Sequence, residues 1–371
     1  MKLVHLARQL MPLSVALMLA GCLDSGGGSG SDDTHVGQLH FQGVSGLTYQ
    51  TASQSGTTDL DGRFRYYPGE TISFRVGDLP IVGGVPARDY ITFLEFLEAT
   101  RNALQTPGVD DEGLSSHSVT EEALFENSTL MNISRFLLAL NWSENVDDDE
   151  GIEFRERVIN QLNQALSDPG LPNQVDFTVS ISEFTAEDSP ANQLLASICF
   201  YPKGDALCSE PPSESEIEDA PVRPIDGELD PDIDYKEDLQ ALRDRILQGR
   251  RDLTEFDNEQ ARNYLRRELG AITRTLSRQY YLSPEDAVHS ASDTGIQTVR
   301  IRKIDGKPQL IRLQAQSKRP ADIFIHAENW QASEVEYVVD GPKGGESEIL
   351  VNFQPEGTYR WVRKQIRVLI D

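Results

Sequence analysis

The chain has 371 residues, 34 basic and 60 acidic side chains, and a formal net charge of −26. A prior of about 150 residues per domain allows two or three domains with a sizeable core. The charge is uneven: residues 1–208 carry 11 basic and 29 acidic side chains, 209–238 carry 2 and 12, and 239–371 carry 21 and 19, a balance that excludes recognition of a nucleic-acid backbone, which needs clustered Lys and Arg.

At the amino terminus Lys2 and Arg8 precede an apolar run from Leu10 to Ala20, too short to cross a bilayer as a permanent helix and so read as a leader over 1–21. The run ends on Leu19-Ala20-Gly21-Cys22, which resembles the lipobox of bacterial lipoproteins. That resemblance implies cleavage before Cys22 and lipid on its thiol, with palmitate-type acyl chains holding the product at a membrane. Several chains matter, because each buried methylene contributes about 0.8 kcal/mol and one chain anchors only marginally. Leu23, rather than Asp, follows the cysteine, which by the same resemblance implies the outer membrane. Residues 22–37, with their DSGGGSGSDD core, have too little apolar surface to pack and read as a flexible tether.

Residues 38–90 read as short strands punctuated by glycine. Alternation on both sides of Asp61-Gly62 predicts a β-hairpin, with further strands at 46–50 and 71–76. Thr57-Thr58-Asp59, Gly62, Phe64 and Tyr66, followed by Pro68-Gly69-Glu70, resemble the carboxypeptidase-regulatory-like, transthyretin-like β-sandwich modules of bacterial surface proteins. The resemblance covers about fifty residues and implies a binding or spacer module. Asp59 and Asp61 suit a turn better than a calcium site.

From residue 91 to 208 the period becomes helical. Ile91, Leu94 and Leu97 are spaced for one face, and Leu130, Ile133, Phe136, Leu137 and Leu140 for another. Asn132–Leu140 followed by Asp147–Ile152 is similar to the helix and acidic Gly-Ile loop that accompany the same β module in some proteobacterial lipoproteins. That acidic loop also places oxygen ligands at alternate positions. With Asn145 as position 1, Asp147 and Asp149 fall at 3 and 5 and Glu156 at 12, as in an EF-hand, but position 6 is Glu150 and the glycine comes one residue late. Two structures fit these letters: an irregular Ca²⁺ loop, and a solvated acidic connection. Cys199 and Cys208 remain as an even pair once Cys22 is lipidated, and the turn-forming Pro202 and Gly204 between them favour a structural disulfide. Redox or metal chemistry would need a CxxC spacing or nearby histidines, which are absent.

Residues 209–235 combine five prolines with repelling carboxylates and read as an acidic linker. Residues 236–283 read as a helical hairpin, with Leu239, Leu242 and Ile246 on one stripe and Leu265, Leu269, Ile272 and Leu276 on the next; Asp257 and Gln260 have the spacing of a capping box. From 284 to 371 the alternation returns. A hairpin is predicted about Asp305-Gly306, followed by strands around Ile323, Val335, Ile349 and Ile366, which points to an antiparallel sandwich or barrel. The fold class is therefore multidomain α+β: an N-terminal β-sandwich, a central helical segment, and a C-terminal helix pair with an antiparallel β domain.

No HExxH, GxSxG, SxxK, P-loop or dinucleotide fingerprint is present, and the six histidines are scattered. Trp330 and Trp361 are candidates for a sugar platform, against the plainer role of core packing or sheet cover. The reading is a lipid-anchored envelope protein, not an enzyme, that serves as a binding or structural module for a protein or glycan partner. The alternative is a carboxylate- or metal-dependent hydrolase of unrecognised type. Calorimetric titration with calcium separates the two structures of the acidic loop: heat and a raised melting temperature for a bound ion, neither for a solvated connection.

Overall fold

The computed structural model describes residues 34–143, 150–224 and 230–371. Cys22, Asn145, Asp147 and Asp149 lie outside these. The first strands are β1 (His35–Leu39), β2 (Val44–Ser45), β3 (Thr48–Gln50), β4 (Ser55–Thr57), β5 (Arg63–Tyr66), β6 (Thr71–Val76), β7 (Leu79–Pro86) and β8 (Tyr90–Ile91). They form sheets ordered β5-β1-β8 and β4-β3-β6-β7. The inner faces meet through aromatic side chains, with Phe64 edge-on to Phe74 at 5.7 Å. β1 begins at His35, inside the stretch whose composition reads as tether, because His35 to Gln38 pair with Tyr66 to Arg63.

The Asp61-Gly62 turn does not make the expected hairpin. β4 pairs with β3 and β5 with β1, so the chain crosses here from one sheet to the other. Five residues separate the two strands, enough to span the roughly 10 Å between packed sheets. The turn chemistry itself is as expected: the Asp59 carboxylate accepts from the amides of Asp61 (3.0 Å) and Arg63 (2.8 Å). Gly62 adopts φ +72°, and a Cβ there would sit 2.5 Å from the Val44 amide. Thr58, buried, donates to the Val44 carbonyl (2.7 Å) and accepts from the Leu47 amide (3.0 Å).

The central segment holds α1 (Glu98–Leu104), β9 (Gly108–Val109), β10 (Ser115–Ser116), α2 (His117–Leu124), α3 (Ser128–Ala139), β11 (Ile152–Glu153), α4 (Glu156–Ser167), α5 (Ile181–Phe184) and α6 (Pro190–Ala196). The stripe from Leu130 to Leu140 is buried as its spacing requires. Ile91, Leu94 and Leu97 do not share a helix: Ile91 closes β8, Leu94 lies in a 3₁₀ turn over Phe93–Glu95, and Leu97 precedes α1. The capping box at Thr92 and Glu95 starts that short turn instead. Cys199 and Cys208 are disulfide-bonded, with Cα atoms 5.4 Å apart.

Within the acidic stretch that reads as a linker, α7 (Glu214–Asp219) forms under its own capping box and buries Ile217. The next helices, α8 (Lys236–Gln248) and α9 (Asn258–Arg278), pack on different partners, α8 against α7 and the disulfide loop, α9 against α3. Asp257 caps α9 as its spacing predicts, accepting from the Gln260 amide at 2.8 Å.

The last strands are β12 (Tyr280–Ser283), β13 (Asp286–His289), β14 (Ile296–Lys303), β15 (Leu310–Ser317), β16 (Ile323–Asn329), β17 (Glu334–Val339), β18 (Glu346–Pro355) and β19 (Val362–Ile370). They form two four-stranded sheets, β12-β14-β17-β16 and β13-β19-β18-β15, around a second core of Val299, Tyr337, Ile349, Phe353 and Ile366. The sandwich is not wholly antiparallel, since β13 runs parallel to β19. The hairpin expected at Asp305-Gly306 is again a crossing: β14 and β15 belong to opposite sheets.

The described residues pack as one compact unit from Thr34 to Asp371. Its first core spans the N-terminal sheets, α3, α4, α6 and the first half of α9, while Leu276 at the far end of α9 packs on the second core. L265A, removing a fully buried side chain of α9, is expected to cost about 2–5 kcal/mol in urea unfolding, whereas L247A, at a side chain 38% exposed, should stay within about 0.5 kcal/mol.

Candidate functional site

Three segments bring ionisable side chains together in the interior: the turn after β8, α2 with the facing side of α9, and the chain entering β19. Glu95, Glu121, Tyr359 and Arg360 are all buried. Glu95 accepts from the amide (2.9 Å) and hydroxyl (3.3 Å) of Thr92. Glu121 accepts from the Tyr359 hydroxyl at 2.7 Å and lies 3.6 Å from Arg360 Nη2. The Arg360 guanidinium sits 4.5 Å above the Tyr359 ring. Burial raises both carboxyls, Glu95 and Glu121, above the usual range, and the Arg360 charge opposes that rise. Burial also works against the arginine's charge, but Tyr359, Glu121 and Glu95 outweigh it and the net shift is upward.

Two histidines frame this cluster. His117 Nδ1 accepts from the Trp361 amide (3.0 Å), which leaves Nε2 to donate to Thr273 Oγ1 (3.1 Å). His40, at φ +61°, accepts through Nε2 from the Phe93 amide (3.0 Å) and packs edge-on to the Phe93 ring. Burial, with Arg360 and Arg267 adding repulsion, lowers His40 to about 3; burial and Arg360 lower His117 to about 3. Both rings are therefore neutral at pH 7. On α9 the fully buried Glu268 accepts from the amides of Phe41 (2.7 Å) and Gln42 (2.8 Å), and burial raises its carboxyl too.

A cavity of about 270 Å³ opens beside the cluster, between Arg88–Tyr90, the C-terminal end of α9 and the Pro355–Arg360 loop. A more open groove of about 330 Å³ lies by Ser115–Ser118, Thr273 and Trp361. Trp361 is buried and so fills a packing role, while Trp330 is 44% exposed.

The residues singled out from sequence do not converge here. Cys199 and Cys208 staple the loop beside α8. Glu156 is the first residue of α4, with an exposed side chain. Gly151, the glycine that falls one place late for a calcium loop, has a different structural reason: its Cα faces the Gln42–Gly43 backbone, where a Cβ would lie 2.2 Å from the Gly43 carbonyl oxygen. That close approach lets Ile152 donate to the same oxygen at 3.0 Å. Among the described residues no group of three or more His, Cys, Asp or Glu is placed to hold a metal ion, and no helix is long and apolar enough to cross a membrane.

Sequence reasoning missed His40, Glu95, His117, Glu121, Glu268 and Arg360. One signal was present: Glu268 stands at helical spacing within the stripe Ala261, Leu265, Ile272, and Glu95 interrupts the apolar run from Ile91 to Leu97. A charge on an apolar face is what a buried, partnered acid looks like in sequence.

No protein-family profile and no curated protein matches the chain. Among solved structures, domains 4 and 5 of the S-layer protein SbsC share 14% identity over 24% of this chain and 50% of that one, with a TM-score of 0.18. A structure of surface layer protein SbsC domains 1–6 shares 13% identity over 25% of this chain and 13% of that one, with a TM-score of 0.19. Likenesses of that size carry no argument about fold or function.

The buried imidazoles make stability depend on pH. Unfolded histidines titrate near 6.5, while His40 and His117 stay neutral in the fold to about pH 3. Between these values the unfolded chain holds more protons, so stability falls as pH falls, by up to about 1.4 kcal/mol per pH unit for each ring. The buried glutamates act in the opposite sense above about 4.5, because the folded state takes up their protons first. Urea unfolding near pH 5.5 is expected to give a change of unfolding free energy with pH that is lower, in signed value, by about one proton in H117Q than in the parent; equal slopes would rule out the buried neutral imidazole.

Proposed function

We propose that the protein is a lipid-anchored envelope lipoprotein of the outer membrane whose folded body is a binding or structural module for a protein or glycan partner. The observation that carries this reading is Leu19-Ala20-Gly21-Cys22, followed within a few residues by a Gly- and Ser-rich stretch and then by one compact body from Thr34. The anchor sets the address, and the body is what it presents. The Cys199–Cys208 disulfide supports an oxidising compartment, where such bonds persist.

The N-terminal sandwich is proposed to be related to the transthyretin-like surface modules. In support, Thr58, Asp59 and Gly62 fix the crossing between its sheets, and Phe64 and Tyr66 point into its core. A non-enzymatic role is favoured because the buried acids are engaged by their own chain: Glu268 holds the Phe41–Gln42 amides, Glu121 holds Tyr359, and Glu95 caps Thr92. A general acid needs a proton-transfer partner within reach of substrate. Calcium at the acidic loop would act, on this reading, as a structural ion.

Mass spectrometry of the native product tests the anchor. Cleavage before Cys22 with a diacylglyceryl group and an acylated amino terminus is expected; an uncleaved start, or a processed end without fatty acid, would undo it. Pull-down from envelope extract with the mature protein is expected to capture an envelope protein or glycan.

A further inference from the structure

We propose that the Cys199–Cys208 disulfide is a reducible fastening: it holds the acidic helical lobe of residues 209–250 on the body, and reduction by a dithiol frees that lobe as a tethered arm while both cores stay folded.

The lobe is joined to the rest of the chain at few points. Its buried side chains, Ile217, Tyr235 and Ile246, belong to neither hydrophobic core. Among the described residues, the hydrogen bonds and ion pairs of α7 and α8 stay inside the lobe. Arg243 donates to the Pro212 carbonyl at 2.6 Å and pairs with Glu214 at 3.8 Å, Arg223 pairs with Asp238, and the Lys236 amide donates to the Pro221 carbonyl at 2.9 Å. Beyond α7, α8 packs on the 3₁₀ turn Ala206–Cys208, which the disulfide closes. The helix ends at Gly249, and two residues later Arg251 is fixed to the end of α3. Residues 209–238, with 12 acidic and 2 basic side chains, repel one another and offer little apolar surface to hold them down.

The two sulfurs differ. The Cys199 amide donates to Gln161 Oε1 (2.9 Å) and its carbonyl accepts from Gln161 Nε2 (3.4 Å), so this cysteine stays on α4 in either redox state. The Cys208 sulfur accepts from Arg157 Nη2 at 3.1 Å. A guanidinium beside a sulfur stabilises its thiolate, which makes Cys208 the better leaving group. Both cysteines are half-buried. In the exchange, one thiolate of the dithiol attacks Cys199 Sγ; a sulfur–sulfur bond forms between them, the Cys199–Cys208 bond breaks, and Cys208 leaves as a thiolate against Arg157. The second thiol then gives up its proton and attacks the reductant's first sulfur, which releases Cys199. The protein gains two electrons and two protons, and the dithiol is oxidised to its own disulfide. The spacing is not that of a catalytic dithiol, so the bond is a substrate of reduction and not a redox centre.

Hydrogen exchange of the mature protein, oxidised and after dithiothreitol, tests this. Reduction is expected to speed amide exchange in α7 and α8 by about tenfold or more and to leave α3 and β18 unchanged. C208S should show the same fast exchange without reductant, and the reduced parent carries the reading if that variant fails to fold. R157Q should keep the oxidised exchange pattern and be reduced about threefold more slowly, the size set by about one pKa unit at a Brønsted sensitivity of about 0.5. Unchanged exchange in the lobe on reduction, faster exchange in α3 and β18 along with it, a bond that resists dithiothreitol until urea unfolds the body, or R157Q reduced as fast as the parent would each overturn the proposal.

Discussion

One helix belongs to both hydrophobic cores, and the arrangement of the body follows from burying it. α9 has 21 residues, about 30 Å at 1.5 Å per residue. Ala261, Tyr264, Leu265 and Leu269 lie in the core shared with the N-terminal sheets, and Leu276 reaches the core of the C-terminal sandwich. Glu268 on the same face is fully buried and holds two amides of the loop after β1. A buried carboxylate is tolerated only with such partners, and removing them would leave it uncompensated. Thr273, one turn further, receives His117 from α2. The helix thereby fixes β1, α2 and the entry to β19 relative to one another, and the polar cluster and its cavity exist because those three meet.

Arginine closes the other seams of this acidic chain. Arg251 donates to the carbonyls of Ala139 (2.9 Å) and Trp142 (2.8 Å) at the C-terminal end of α3, and its guanidinium lies 3.6 Å from the Phe200 ring centre. Arg135 donates to Leu253 at 2.7 Å and to Phe256, tying the loop before α9 back to α3. A cation at a helix C-terminus meets both orphan carbonyls and the negative end of the dipole. Acidic overall charge and basic internal fastening are compatible because the carboxylates lie mainly outside while these guanidinia face backbone oxygen.

Much of the local structure was legible. The strand at Thr71–Val76, the Leu130–Leu140 stripe, the Asp257 cap of α9 and the four late strands all follow from periodicity and capping chemistry, which act over a few residues. The disulfide was legible too, because Cys199 and Cys208 flank a short loop whose Pro202 and Gly204 turn the chain back on itself. The two hairpins failed for one shared reason. Asp61-Gly62 and Asp305-Gly306 do mark turns, but alternation is the same whether a strand pairs beside its predecessor or crosses to face it from the opposite sheet.

The polar cluster shows where reading by sequence stops. Glu95, Glu121 and Arg360 are separated by up to 265 positions, and nothing local says that they meet. Only the burial of α9 against two β layers decides that His40 and His117 are neutral, that Glu268 holds a distant loop, and that a cavity opens beside Arg360. What the sequence by itself determined was the short-range part, the turns, caps and apolar faces, since each depends on neighbours in the chain. Sheet partnership and the company of each buried charge were left to the tertiary structure, because hydrophobic burial is non-directional and the fold alone selects which faces it joins.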